Sequence, residues 1–244
     1  MQSGAGLALF ETLDSTSLEA KRRAAAGARG SQWIVALEQT AGYGRRGARW
    51  EQRTGDVAAT LLFESTGPPE TLGQLSFVAA LAVADSLDGF APNAPLALKW
   101  PNDVLAGGGK IAGVLLELID AKPRPLIAIG IGVNIVSKPD AVLYPTARVL
   151  DFADQAPSPV EFVERLDGDL AHWMSIWTAR GFNHIRSAWL AKAAGLGAPI
   201  RVQLPHETID GVFLDLAQDG ALVLDCEGKR RLIAAGAVLP RERS

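Results

Sequence analysis

Gln39-Thr40-Ala41-Gly42-Tyr43-Gly44-Arg45-Arg46-Gly47-Ala48-Arg49-Trp50 contains three glycines, three arginines and no acid. Such a run makes a poor core element. Its glycines let the backbone fold closely around a ligand, and its arginines offer forked donors to carboxylates and phosphates. It reads as a flexible anion clamp ended by an aromatic plate, Trp50; a solvated basic turn would have the same composition. On either side lie apolar runs of strand type, Trp33–Leu37 before it and Val57–Glu64 after it. The clamp is therefore a strand-to-strand connection of about 18 residues, a length that is usually functional or disordered.

Upstream, Leu7–Thr12 reads as a short strand. Thr16 and Glu19 have capping-box spacing, so a helix is expected from there through Leu18–Ala26, with Gly27 as its stop. Ser15 and Thr16 can serve as caps and can also stand at a helix N-terminus that offers free N–H groups to a polar ligand. Downstream, Thr71–Leu87 is an apolar helix for central packing. Leu96–Lys99 leads into Trp100-Pro101-Asn102-Asp103, where Pro101 ends regular pairing and Asn102 and Asp103 favour a turn. Gly107–Gly109 is a hairpin tip, and Lys110 stands at the mouth of the apolar strand Ile111–Leu118. In an average protein such a lysine is more often a solvated edge charge. In the strand Leu126–Ile135, Gly130 and Gly132 bare one face, which suits a ligand lying on the backbone or close helix packing.

Pro159–Thr178 and Gly181–Ala194 read as helices. Near Gly195-Leu196-Gly197-Ala198-Pro199 the pattern changes to short strands, Ile200–Leu204, Ile209–Leu216, Ala221–Asp225 and Arg230–Ile233, with a hairpin signal at Asp219-Gly220. A β-unit of that size is marginal alone and is expected to dock on the main domain.

The 244 residues suit one large domain with a small appendage; 48% are hydrophobic and 21% charged, enough for a core. A net charge of −3 argues against a protein that coats nucleic acid. The single Cys226 excludes an internal disulfide and points to a reducing compartment. No secretory signal and no membrane-spanning run is evident, so a cytoplasmic protein is expected.

Four motifs now stand in one order: Asp14-Ser15-Thr16, the clamp, Lys99-Trp100-Pro101-Asn102-Asp103 followed seven residues later by Lys110, and Gly130-Ile131-Gly132-Val133-Asn134. Together they resemble the biotin protein ligases, over about Leu7–Leu239. The resemblance implies an α+β fold, with a mixed-sheet biotin/ATP-binding catalytic domain over 1–195 and an SH3-like β-barrel over 196–244. Because the chain starts at the catalytic strand, it looks like the monofunctional type that binds no DNA.

The resemblance also implies a two-step reaction. Biotin and Mg-ATP give biotinyl-5′-AMP and pyrophosphate. A lysine of the biotin carboxyl carrier protein of acetyl-CoA carboxylase then takes the biotinyl group, and AMP leaves. Cations are needed where the biotin carboxylate meets the α-phosphate. By the resemblance Lys110 bridges these two anions and Arg45 assists. Ser15, Thr16 and Gln39 match positions that bind the ureido ring, and Gly42, Tyr43, Arg45, Lys110, Gly113, Gly130 and Gly132 complete the biotin site. Arg46, Gly47, Arg49, Trp50, Lys99, Asn102 and Asn134 match adenylate positions, and Asp103 is the candidate Mg²⁺ carboxylate. The clamp is expected to be disordered without ligand and to close over the intermediate, keeping water off the anhydride.

Tyr43 and Ala48 depart from the family pattern, in which both positions often carry a basic residue. The nearest rival is a lipoate–protein ligase of the same fold. A rival of another class is a biotin-sensing protein that does not turn over, which the retained Lys110 and Arg45 disfavour. A monomer and a homodimer are both compatible with the sequence.

Overall fold

The apolar runs assemble into one sheet in the computed structural model, which describes residues 1–122, 124–139 and 144–239. Residues 240–244, the end of the expected C-terminal unit, lie outside the described residues. The strands are β1 (Gly6–Leu13), β2 (Gln32–Gln39), β3 (Val57–Glu64), β4 (Leu96–Lys99), β5 (Asp103–Ala106), β6 (Gly109–Asp120) and β7 (Leu126–Val133). Their order in the sheet is β1-β2-β3-β7-β6-β5-β4. β1 and β2 run parallel, joined by helix α1 (Thr16–Ala25), and every other neighbouring pair is antiparallel. The expected mixed sheet is present.

Three further helices, α2 (Leu75–Phe90), α3 (Pro159–Arg180) and α4 (Phe182–Ala191), share the main core with one face of this sheet. α2 buries Leu75, Val78, Leu81, Ala82 and Leu87 completely, which explains why it is apolar almost all round. α1 covers only part of the opposite face. Its Ala20 packs with Ile34, Leu62, Leu126 and Ala128 in a small second cluster. The remainder of that face is left for the clamp.

Two helix starts differ from the sequence reading. α1 is capped by Ser15, whose side chain accepts from the Ser17 N–H, so Glu19 falls one position beyond the box and pairs with Arg22 and Arg23 instead. The helix expected from Thr71 begins at Leu75, after a 3-10 turn over Pro69–Gln74. Pro69 opens that turn, and Gly73 within it weakens an α-helical start. The Gly27 stop is as expected: at φ 92° its N–H reaches the Ala24 carbonyl, and the Ala28 N–H reaches Arg23.

The C-terminal strands are β8 (Pro199–Gln203), β9 (Thr208–Leu216), β10 (Leu222–Cys226), β11 (Lys229–Ile233) and β12 (Ala237–Val238), ordered β11-β10-β9-β8-β12 and antiparallel throughout. β11 and β12 are opposite edges and do not pair, so the expected barrel is an open five-stranded sheet among the described residues. The sheet docks closely on the larger unit. The Trp189 ring lies 5.5 Å from Phe77 and 6.5 Å from Phe213. Trp100 Nε1 donates to the Gly220 carbonyl at 3.1 Å, and Gln74 Nε2 donates to that of Gln218 at 3.0 Å.

Candidate active site

Register builds the floor of the site. Ala58 of β3 lies opposite Gly132 of β7, Gly132 opposite Gly113 of β6, and Gly113 opposite Asp103 of β5. Cross-strand neighbours of this kind share a face, so a bare strip of Ala and Gly crosses the sheet and ends at a carboxylate. In the next row Thr60 lies opposite Gly130. A Cβ on Gly130 would stand 2.9 Å from Ser17 Oγ, and one on Gly132 would stand 2.3 Å from the Trp50 indole. Glycine is needed at both because other groups already occupy that space. The cleft over this strip encloses, with its open mouth, ≈ 980 Å³.

One end of the cleft is polar and closely bonded. Gln39 Oε1 accepts from the Thr16 N–H at 2.8 Å and from Thr16 Oγ1 at 3.2 Å. Thr60 Oγ1 donates to Thr16 Oγ1 at 2.8 Å, and Ser17 Oγ lies 3.3 Å from Thr60. Ser15, Thr16, Ser17 and Thr60 are all buried. Ser17 and Thr60 were not singled out in the sequence. Thr60 had a signal, as a lone hydroxyl in the apolar strand Val57–Glu64.

The other end is charged. Lys110 Nζ pairs with Asp103 Oδ1 at 2.6 Å and stands 5.7 Å from the Trp50 ring centre and 5.9 Å from that of Tyr144. Tyr144 is a further cleft residue that the sequence reading missed. Arg45 Nη1 donates to Asn102 Oδ1 at 3.2 Å and to the Gly236 carbonyl at 3.3 Å. Burial lowers the Arg45 pKa, Arg46 adds to that, and Asp103 opposes it. Gly236 and Ala237 line the cleft, so the C-terminal sheet forms part of its wall. No pattern in the sequence marks that contribution.

The clamp, read as disordered without ligand, is a folded hairpin here. Gly44 N–H reaches the Ala48 carbonyl at 2.7 Å, Trp50 N–H reaches Gly42 at 2.9 Å, and Tyr43 bridges Arg49. Arg46 turns the tip at φ 56° and Gly47 follows at 73°. Trp50 lies against Gly113 and Gly132, and its Nε1 is buried with no hydrogen-bond partner among the described residues. At the base of the clamp, buried Asp56 accepts from the N–H groups of Ile135, Val136 and Ser137, tying the clamp to the exit of β7.

The cleft brings together Ser15, Thr16, Gln39, Tyr43, Arg45, Arg46, Arg49, Trp50, Asn102, Asp103, Lys110, Gly113, Gly130 and Gly132. Four expected residues do not line it. Gly42 holds Trp50 and packs on Gln39, and Gly47 shapes the hairpin tip. Asn134 spends its amide nitrogen on the carbonyls of Ala147 and Lys110, at 2.9 and 3.3 Å. Lys99 sits opposite Asp103 in register, and its pKa is lowered first by burial and further by Lys110, against Asp103.

Residues 9–134 match the biotin/lipoate A/B protein ligase family, and residues 195–239 match the biotin protein ligase C-terminal domain. A biotin--[acetyl-CoA-carboxylase] ligase of Paracoccus denitrificans is 43% identical over 233 residues, 92% of this chain and 96% of that protein. One of the same name from Mycobacterium tuberculosis is 34% identical, over 92% of this chain and 85% of its own length. The structure of biotin protein ligase from Aquifex aeolicus in complex with biotin and ATP superposes with a TM-score of 0.83, covering 98% of this chain and 99% of that one at 24% identity, a likeness of fold. With two matched regions and a 43% identical relative along nearly its whole length, the chain belongs to the biotin/lipoate A/B protein ligase family and is of the biotin protein ligase kind.

Proposed function

We propose that the chain joins biotin to ATP as biotinyl-5′-AMP and transfers the biotinyl group to a lysine of the carrier protein of acetyl-CoA carboxylase. The observation that carries this reading is the division of one bare-floored cleft into a hydroxyl- and amide-lined end and a cationic end. The biotin ureido group needs both donors and acceptors, and Ser15, Thr16, Ser17 and Gln39 supply them. Buried polar groups left unpaired cost about 1–3 kcal/mol each, so this end selects against ligands without them. The valeryl tail would lie along Gly130, Gly132 and Gly113 towards Lys110 once the Trp50 indole, which rests on Gly113 and Gly132 here, swings aside.

At that end a biotin carboxylate oxygen attacks the α-phosphorus of ATP, and pyrophosphate leaves. Lys110 would turn from Asp103 to the two anions, offsetting their repulsion and the charge that develops between them. Arg45, Arg46 and Arg49 would hold the phosphates. Trp50 and Tyr144, beside Lys110, would flank the adenylate and exclude water. In the second step the carrier amine attacks the acyl carbon and AMP departs, so the chain needs no nucleophile of its own. Mg²⁺ enters as the counter-ion of ATP. Among the described residues no three His, Cys, Asp or Glu side chains are grouped to hold a metal. Asp103 can add one carboxylate to phosphate oxygens and water, which is how Mg²⁺ is commonly bound.

No helix among the described residues is long and apolar enough to cross a membrane, and we assign the activity to the cytoplasm, where the carrier is made. The test is an intact-mass competition with Mg-ATP, biotin and lipoate, offering an apo biotin-carrier domain and an apo lipoyl domain together. The expected result is a biotinyl increment on the carrier domain alone. A lipoyl increment would assign the cleft to the other branch of the family. Biotin binding with no increment on either domain would make the protein a sensor.

A further inference from the structure

We propose that Tyr43 is a positioning residue whose hydroxyl, held between Lys21 and Glu117, fastens the clamp shut across the cleft through protein groups alone. The inference rests on the ligase reading for its consequence and on geometry for its existence. Tyr43 Oη accepts from Lys21 Nζ at 3.0 Å and donates to Glu117 Oε2 at 3.2 Å. Lys21 and Glu117 themselves pair at 2.8 Å, and the Lys21 ammonium stands 5.4 Å from the Tyr43 ring centre. Lys21 belongs to α1 and Glu117 to β6, elements that are not neighbours in sequence and that meet at Gly130, where Ser17 of α1 and Leu115 of β6 both approach.

The clamp therefore has two fastenings of different kinds. Arg45 reaches Asn102 and Gly236 at the charged end, and a phosphate would compete for that guanidinium. Lys110 and Glu117 are seven residues apart on β6, about 23 Å along an extended strand, so the Tyr43 fastening lies at the far end from the phosphates. The phosphates would not reach it. Hydrogen bonds to charged groups are the stronger kind, and Lys21 and Glu117 offer one of each sign to a single hydroxyl. The clamp can then hinge at its Arg45 end while Tyr43 keeps the other end closed over the ring of the bound acid. The benefit is retention of a water-labile mixed anhydride until a carrier arrives.

The test uses limited trypsin digestion of the full chain, because the clamp itself carries Arg45, Arg46 and Arg49 as cleavage sites. Tyr43→Phe removes the hydroxyl, and Lys21→Met cuts the same fastening from outside the cleft. Each is expected to raise the initial rate of nicking within 45–49 by about tenfold, as for one charge-assisted hydrogen bond. The double variant should add less than about twofold to either single, since both cut one fastening. Lys21→Arg, which keeps a cationic donor, should restore slow nicking. Singles that nick at the wild-type rate, or a double whose effect is the product of the singles, overturn the proposal. In a second measurement Lys21→Met should release preformed biotinyl-adenylate about tenfold faster while forming it at the wild-type rate, and unchanged release also overturns the proposal. If the wild-type protein forms no adenylate, the ligase reading fails, and the digestion still decides the role of Tyr43.

Discussion

Lys110 has two duties that pull apart. In the structure it neutralises Asp103 at 2.6 Å, both side chains being less than one-fifth exposed; in the proposed reaction it would face two anions. Lys110→Ala removes the cation from both. Adenylate formation is expected to fall by about 10²–10³, the usual cost of losing one transition-state donor. Biotin affinity should survive, because Thr16 and Gln39, the proposed ring-binding groups, are bonded to each other and not to Lys110. Pyrophosphate release set against biotin titration calorimetry separates the two; parallel loss of both would place Lys110 in binding instead. Lys99 shows the opposite balance. Burial lowers its pKa, so its charged form disfavours the fold, and stability rises with pH across the interval below its ordinary value as the proton leaves. Lys99→Met should therefore raise Tm by about 2–4 °C, the equivalent of about 1 kcal/mol in a chain of this size. The same change should slow adenylation, because it removes positive charge beside Asp103 and Lys110. A variant that melts no higher than wild type would show that Lys99 is adequately solvated.

Single elements show what local sequence can and cannot specify. α1 was legible from its hydroxyls and its Gly27, because caps are local chemistry; its first residue was misjudged because Ser15, Thr16 and Ser17 all suit a cap and only the fold selects Ser15. The clamp was legible as an anion loop from its composition. Its hairpin form was not, because the bonds from Gly44 to Ala48 and from Trp50 to Gly42 depend on a turn at Arg46 with positive φ, which residue type does not announce. Ser17 and Thr60 escaped because their pairing spans 43 residues. α1 also yields a pH prediction. The Arg22 side chain bonds the Asp14 carboxylate beside the helix cap and holds its pKa down to about 2. The group is half exposed, so solvent screening limits its contribution to about 0.5 kcal/mol. A depressed carboxylate stabilises the fold above its unfolded pKa of about 3.9, and that contribution fades as pH falls towards 2. Asp14→Asn should flatten the acid side of the stability curve between about pH 4 and 2 and leave it parallel to wild type above that. An unchanged acid slope, measured by urea unfolding at stepped pH, would count against the pairing.

The whole molecule is two sheets that share one core, and the active cleft depends on both. The change of pattern near Gly195–Pro199 was visible in sequence, and docking followed from the small size of the unit; how it docks was not legible, because that rests on contacts such as Trp189 with Phe77 and Phe213. Apolar packing joins the two sheets, reinforced by the Trp100 and Gln74 hydrogen bonds and by Arg186 of α4. The Arg186 Nε donates to the Leu216 carbonyl at 2.6 Å, and its guanidinium pairs with Asp215. Arg186 lies outside the cleft, yet the sheet it holds presents the Gly236 carbonyl to Arg45. Arg186→Ala leaves Asp215 unpaired and frees that sheet to shift, and a part-buried charged hydrogen bond is worth about 1.5–3 kcal/mol. Because the effect reaches the site through Arg45, it should appear as a several-fold rise in KM for ATP with biotin affinity unchanged. Calorimetry should show one unfolding transition in the wild type, since buried residues of both sheets belong to one apolar cluster, and a broadened or split transition in the variant. Two separate transitions in the wild type would show that the sheets fold independently and that residue 195 is a true boundary. A rise in the biotin dissociation constant equal to that in KM would place the loss at the Tyr43 end of the clamp, not at Arg45.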